Sequence, residues 1–163
     1  MKYGFWHRER IAACMVLIIT LAQACTSPEQ TSMTLDQQYS TGSGNADVTF
    51  VRAVQTATDT WMFYVTVQHP DTGWDDYADG WDVVLPDGSV VKPDPDSNFT
   101  RLLLHPHIEE QPFTRSQSGI ILGPEVTTIT IRAHDLVDGY GGREVVVDLT
   151  QTSGQQFVVQ RQP

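Results

Sequence analysis

Residues 61–69, WMFYVTVQH, alternate strictly: Trp61, Phe63, Val65 and Val67 fall on one side of an extended chain, and Met62, Tyr64, Thr66 and Gln68 on the other. A period of two built from β-branched and aromatic residues is the pattern of a half-buried strand, not of a helix. Short strand-like runs recur at 48–54, 81–85, 89–92, 101–105, 115–122, 127–133 and 143–149, and no window shows a helical stripe. Pro86-Asp87-Gly88 reads as the hairpin turn between two of them. Seven or eight short strands within about 100 residues predict an all-β fold, an antiparallel sandwich of two sheets.

The strand number and spacing resemble the immunoglobulin and fibronectin type III architecture, without the Cys…Trp…Cys pattern of antibody domains. The chain holds two cysteines, Cys14 and Cys25, and neither falls among the strands. No disulfide is therefore expected in the sandwich, which must be held by its apolar core; a domain of about 100 residues can bury enough surface for that.

The first 25 residues carry a different signal. Lys2, Arg8 and Arg10 precede an apolar run at 11–21, too short to cross a ~30 Å hydrocarbon layer but suited to a secretory signal. The ending Leu21-Ala22-Gln23-Ala24-Cys25 resembles the lipobox of bacterial lipoproteins. That resemblance implies cleavage before Cys25, acylation of its sulfur and attachment to a membrane. Thr26, where inner-membrane lipoproteins carry Asp, implies the outer membrane. The alternative is an ordinary secretory cleavage that leaves Cys25 free. The expected organisation is a lipoprotein signal peptide at 1–24, the lipidated Cys25 with a flexible tether to 46, the sandwich at 47–150, and a Gln-rich tail or edge strand at 151–163. A tether of roughly 20 residues reaches about 25 Å.

Acidic residues number 20 against 10 basic ones, and loss of 1–24 removes three basic residues but only Glu9. Such a body repels phosphate backbones, which excludes nucleic acid as a partner.

Three connections carry more chemistry than turns require. They are 69–80 (HPDTGWDDYADG), 105–113 within LLLHPHIEEQPFTRS, and 134–142 (HDLVDGYGG), and each begins with a histidine at a strand end. In immunoglobulin-like lettering these are the B–C, D–E and F–G connections, which share one end of the sandwich. That placement takes the proline-rich segment 93–98 as a crossover between sheets. His69, His105, His107 and His134 then meet a rim of Asp71, Asp75, Asp76, Glu109, Glu110 and Asp135.

Three readings of this end stand side by side. In the first, the loops brace one another: Glu109 or Glu110 pairs with Arg115 or Arg101, His105 supports its neighbour, and 102–104 with Phe113 anchor the middle loop in the core. An unknown protein or small ligand then meets the surface so formed. In the second, the histidines bind zinc or copper; His105-Pro106-His107 in extended backbone points both imidazoles the same way, and imidazole with carboxylate suits those metals. In the third, Trp74, Tyr77, Trp81 and Tyr140 stack on a glycan, with Asp75 beside them, although Trp81 begins a strand and fits the core better.

Residues 94–98 resemble half a calcium loop, but Phe99 stands where an EF-hand needs glycine. No nucleophile-elbow, zinc-protease or phosphate-loop pattern occurs, and Ser116 and Ser118 near His105 make no ordered triad, so no enzyme is expected. The block HPHIEEQPFTRS, with HPDTGW before it and HDLVDGYGG after, is similar to a family of small exported bacterial proteins. This resemblance implies that the three loops belong together, and it carries over no functional residue.

Overall fold

Residues 44–162 are described by a computed structural model. The signal segment, Cys25 and the tether as far as residue 43 lie outside the described residues. Nine strands form two sheets, with no helix among the described residues: β1 (Asp47–Ala57), β2 (Thr60–Gln68), β3 (Ala78–Val84), β4 (Val90–Val91), β5 (Arg101–Leu102), β6 (Phe113–Ile121), β7 (Thr128–Asp135), β8 (Val145–Asp148) and β9 (Phe157–Gln160). One sheet runs β6-β2-β1-β9 and the other β4-β3-β7-β8, with β5 also on β3. Every pairing is antiparallel except that of β9, which lies parallel to β1 and closes its outer side. The fold is a β-sandwich.

The alternation that defines β2 becomes its inner face. Trp61, Phe63, Val65 and Val67 are buried in one core with Ile129, Ile131 and Ala133 of β7, which alternate in the same way. Val48, Val51 and Ala53 from β1, Ile120 from β6, Trp81 and Val83 from β3, and Val145 and Val147 from β8 complete the core. A register shift between Val48 and Phe50 resets the parity of β1, so that Val51 rather than Phe50 turns inward. Complete burial of each Val, Ile or Phe is worth about 1.5–3 kcal/mol before the entropy cost of ordering it.

Two expectations need correction. Segment 93–98 does not cross between sheets: β4 and β5 lie on the same edge of β3, opposite β7, and both run antiparallel to it. They are two pieces of one edge strand interrupted by an excursion at 92–100. The strand direction is thereby kept, which is why the connections at 69–77, 103–112 and 136–144 still share one end. The run 101–105 is also not a full strand. Only Arg101 and Leu102 pair, because Pro106 has no N–H to offer a ladder and the chain leaves the sheet before it. Of the three leucines, Leu103 enters the core, whereas Leu102 and Leu104 are 42% and 68% exposed. Of the apolar side chains on the crossing to β6, Leu103 and Phe113 are the ones that enter the core.

The excursion is fixed by an aromatic ring laid on bare backbone. Phe99 covers Gly80 so closely that a Cβ there would overlap its ring. Thr100, itself buried, follows with two bonds, accepting from Val83 N at 2.9 Å and donating to Val91 O at 2.6 Å. Gly80→Ala must push Phe99 off β3, and is expected to cost about 1–3 kcal/mol. Urea unfolding of the two proteins measures the difference.

Candidate functional site

The inner faces of β2 and β7 do not stop where their apolar residues stop. One step beyond Val67, the same parity places His69, and one step beyond Ala133 it places Asp135; both are buried. Opposing sheets thus close the core at this end with a polar pair. Asp71, on the same parity as His69, is buried beneath it.

Asp71 is the hub. Its Oδ1 accepts from His69 Nδ1 at 2.6 Å and from Ala78 N at 3.1 Å, and its Oδ2 accepts from His107 N at 2.6 Å. One carboxylate so joins the end of β2, the start of β3 and the loop 103–112. Gln111 adds a second tie by accepting from His69 N at 3.1 Å. Burial alone would raise the Asp71 pKa, but the bonds from His69, His107 and Ala78 outweigh it and hold the carboxyl below its ordinary value. For His69 burial pulls the other way, yet Asp71, Asp135 and Asp76 outweigh it and raise the imidazole above its ordinary value.

Asp135 ties in the third loop. It accepts from Val137 N at 3.0 Å and Asp138 N at 2.6 Å, and from Ala46 N, just ahead of β1, at 3.3 Å. Leu136 N donates to Tyr77 O at 3.2 Å, linking this loop to the first.

The four histidines do not form one set. His134 Nδ1 bonds Asp79 Oδ1 at 2.6 Å, and its ring packs between Phe99 and Tyr140. His107 lies flat on Phe113, with ring centroids 3.7 Å apart and planes at 11°. Its ring sits 4.5 Å from that of His105, as the i, i+2 spacing predicts, but His105 is exposed and its Nδ1 turns to Pro106 O at 3.0 Å. Asp71 is near His107 Nδ1 at 4.0 Å, with both oxygens already engaged. Among the described residues, the group whose ligand atoms could share an ion is His69, Asp76 and Asp135, all within 4.8 Å of one another.

The remaining expected residues divide between bracing and open surface. Glu110 pairs with Arg115 at 3.0 Å, an exposed pair worth at most about 1 kcal/mol. His105 braces no other loop; Asp71 does that work. Glu109 and Asp75 are exposed. Trp74 is 68% exposed, standing edge-on to Tyr77 at 6.0 Å. Tyr140 is not a free platform: its hydroxyl donates to the buried carboxylate of Asp82, and its ring lies 3.9 Å from the Arg132 guanidinium. Burial and the Asp82 bond push its pKa up. Trp81 is core. Sequence reasoning passed over Asp79, Asp82 and Gln111. An acidic residue inside a run such as WDVVL was the available signal for Asp82, because a carboxylate beside core positions needs partners built for it.

No protein-family model matches the chain, and no solved structure matches it. The chain is 43% identical over 102 residues to a protein of Halomicrobium mukohataei whose name reads "Putative lipoprotein". That match covers 62% of this chain and 45% of the relative, so the chain spans less than half of the relative's length.

Asp71→Ala leaves two backbone N–H groups and the His69 Nδ1–H without their acceptor in a dry site. It is expected to cost about 3 kcal/mol or more, read from the urea midpoint. His107→Phe should act in the opposite direction. Both ring nitrogens of His107 are buried without partners, and burial, then Arg115 and His105, hold its pKa below the ordinary value. Below about pH 6.5 the unfolded chain takes up a proton that folded His107 refuses. Its contribution is therefore intact above that pH and is lost as the pH falls toward the folded value. Phenylalanine keeps the stack on Phe113 and removes the orphan nitrogens, for a gain of about 1 kcal/mol. Thermal melts should show its advantage over the wild type widening from pH 7.5 to pH 5.5.

Proposed function

We propose that the chain is a lipid-anchored, non-enzymatic module of the cell envelope, whose three-loop end is its binding surface for a protein or small ligand. The observation that carries the anchoring is the similarity to a relative named "Putative lipoprotein", taken with the charged, apolar and small-residue succession that ends at Cys25. Acylation of Cys25 then fixes the chain to a membrane, and Thr26 favours the outer over the inner one.

The site favours binding over catalysis. The nitrogen of His69 left free by Asp71 faces the carboxylate of Asp76 at 3.6 Å, not a hydroxyl or thiol that it could activate. The loops around it are cross-braced through buried carboxylates, which suits a preformed surface. Trp74 offers the exposed aromatic face at this end that a protein or a glycan would meet first.

Cys25→Ser tests the anchor. The wild-type protein is expected in the membrane fraction and labelled by radioactive palmitate, and the variant in the soluble fraction without label. Unchanged fractionation of the variant would overturn the reading.

A further inference from the structure

Among the buried polar atoms at the loop end that the bracing bonds leave without a partner, His69 Nε2 is the one that faces carboxylates from two other segments. His69 Nε2 is buried and unbonded, in a residue that is 1% exposed. Its direction is set from behind. Ionised Asp71 can only accept, so Nδ1 carries the hydrogen of the 2.6 Å bond, and Nε2 is the nitrogen whose lone pair is available. That lone pair looks onto two carboxylates. Asp76 Oδ1 is 3.6 Å away, and Asp135 completes a set whose ligand atoms all lie within 4.8 Å of one another.

A lone pair and two anions facing one another in a largely dry site repel unless positive charge lies between them, either a proton on Nε2 or a metal ion that takes its place. The chain has invested in holding this arrangement. Asp71 orients His69, as carboxylates behind metal-bound histidines do. Three backbone N–H groups fix Asp135. A tight turn fixes Asp76, with Thr72 N donating to Asp76 O at 3.0 Å and Asp76 N to Gly73 O at 3.2 Å. The three side chains come from the end of β2, the first loop and the end of β7, so the fold and not one local motif creates the set.

The spacing suits a metal ion. Ligand atoms about 2.1 Å from a tetrahedral ion stand about 3.4 Å from each other, so the His69–Asp76 separation of 3.6 Å requires almost no movement. We propose that His69 Nε2, Asp76 and Asp135 bind one divalent transition-metal ion, zinc being the best match, at the closed end of the sandwich core. The imidazole favours zinc over calcium or magnesium, which prefer all-oxygen sets. Three protein ligands leave a fourth position for water or for a ligand donor. This rests on the reading of the loop end as the binding end, and it names what that end holds. It is independent of the lipid anchor.

The test uses the full chain, produced without a polyhistidine tag, stripped with chelator and equilibrated with zinc sulfate at pH 7.5. Elemental analysis after dialysis is expected to give one zinc per chain, and the thermal midpoint is expected to rise with zinc. Asp76→Ala should weaken zinc binding at least ~10-fold and abolish the rise in midpoint. The Asp76 side chain is 33% exposed, and the zinc-free midpoint of the variant reports whether the fold is retained. His105→Ala, at an exposed position, should bind as the wild type does. The proposal is overturned if the wild type retains no more zinc than Asp76→Ala. It is equally overturned if binding is lost in His105→Ala but kept in Asp76→Ala, which would put the ion on the exposed histidine pair. Neither result bears on Cys25→Ser fractionation, so failure of the metal site and failure of the anchor are separately visible.

Discussion

A carboxylate sealed from water must find its hydrogen-bond partners inside the fold, and the three-loop end depends on how Asp71 does so. Its oxygens collect one side-chain and two backbone donors from three separate segments. The bonds are charge-assisted and the alternative is a buried, unpaired anion, so the interaction specifies position more strongly than its net energy suggests. Loop 69–77 has little apolar material of its own; Trp74 is turned to solvent. Its conformation is set chiefly by polar bonds, with the hydrophobic core ending beneath it.

Asp82 repeats the device at the middle of β3. It is buried, accepts from Thr100 N at 3.0 Å and from the Tyr140 hydroxyl, and lies 3.4 Å from Arg132. It thereby joins the excursion at 92–100, the strand β7 and the third loop. Asp71 and Asp82 together explain how irregular connections can be rigid without a disulfide. Each substitutes one buried, saturated anion for the covalent staple that many small exported domains use.

The sandwich was legible in the sequence because period-two alternation is a local property. Residues 61–67 and 129–133 show it openly, and both strands follow it. The ends of strands were harder. Nothing local says that Leu103 alone of three leucines turns inward, since this depends on where the chain leaves β3. The candidate site was half legible. The meeting of three loops could be argued from strand parity, and Asp71, Asp76 and Asp135 stood in the expected acidic rim. The grouping of histidines could not be argued, because which carboxylate each imidazole meets is decided by side-chain directions at three separate strand ends. Extending the alternation by one more period, two residues past Val67 and Ala133, would have singled out His69 and Asp135. The apolar pattern ends there, but the inward direction does not.

The start of the described chain is threaded through this same end. Ala46 N is bonded to Asp135, Arg143 N donates to Asp47 Oδ1 at 2.6 Å, and Val48 N donates to Arg143 O at 2.8 Å. The backbone of Gly142 passes so near the Ala46 carbonyl that any side chain there would collide with it. Mechanically, this is a load path. Tension arriving through the segment before Gly44 would be delivered first to the Asp135 carboxylate and the third loop, ahead of the ladder between β1 and β2. An ion held by Asp135 would then act as a clasp at the point of pull.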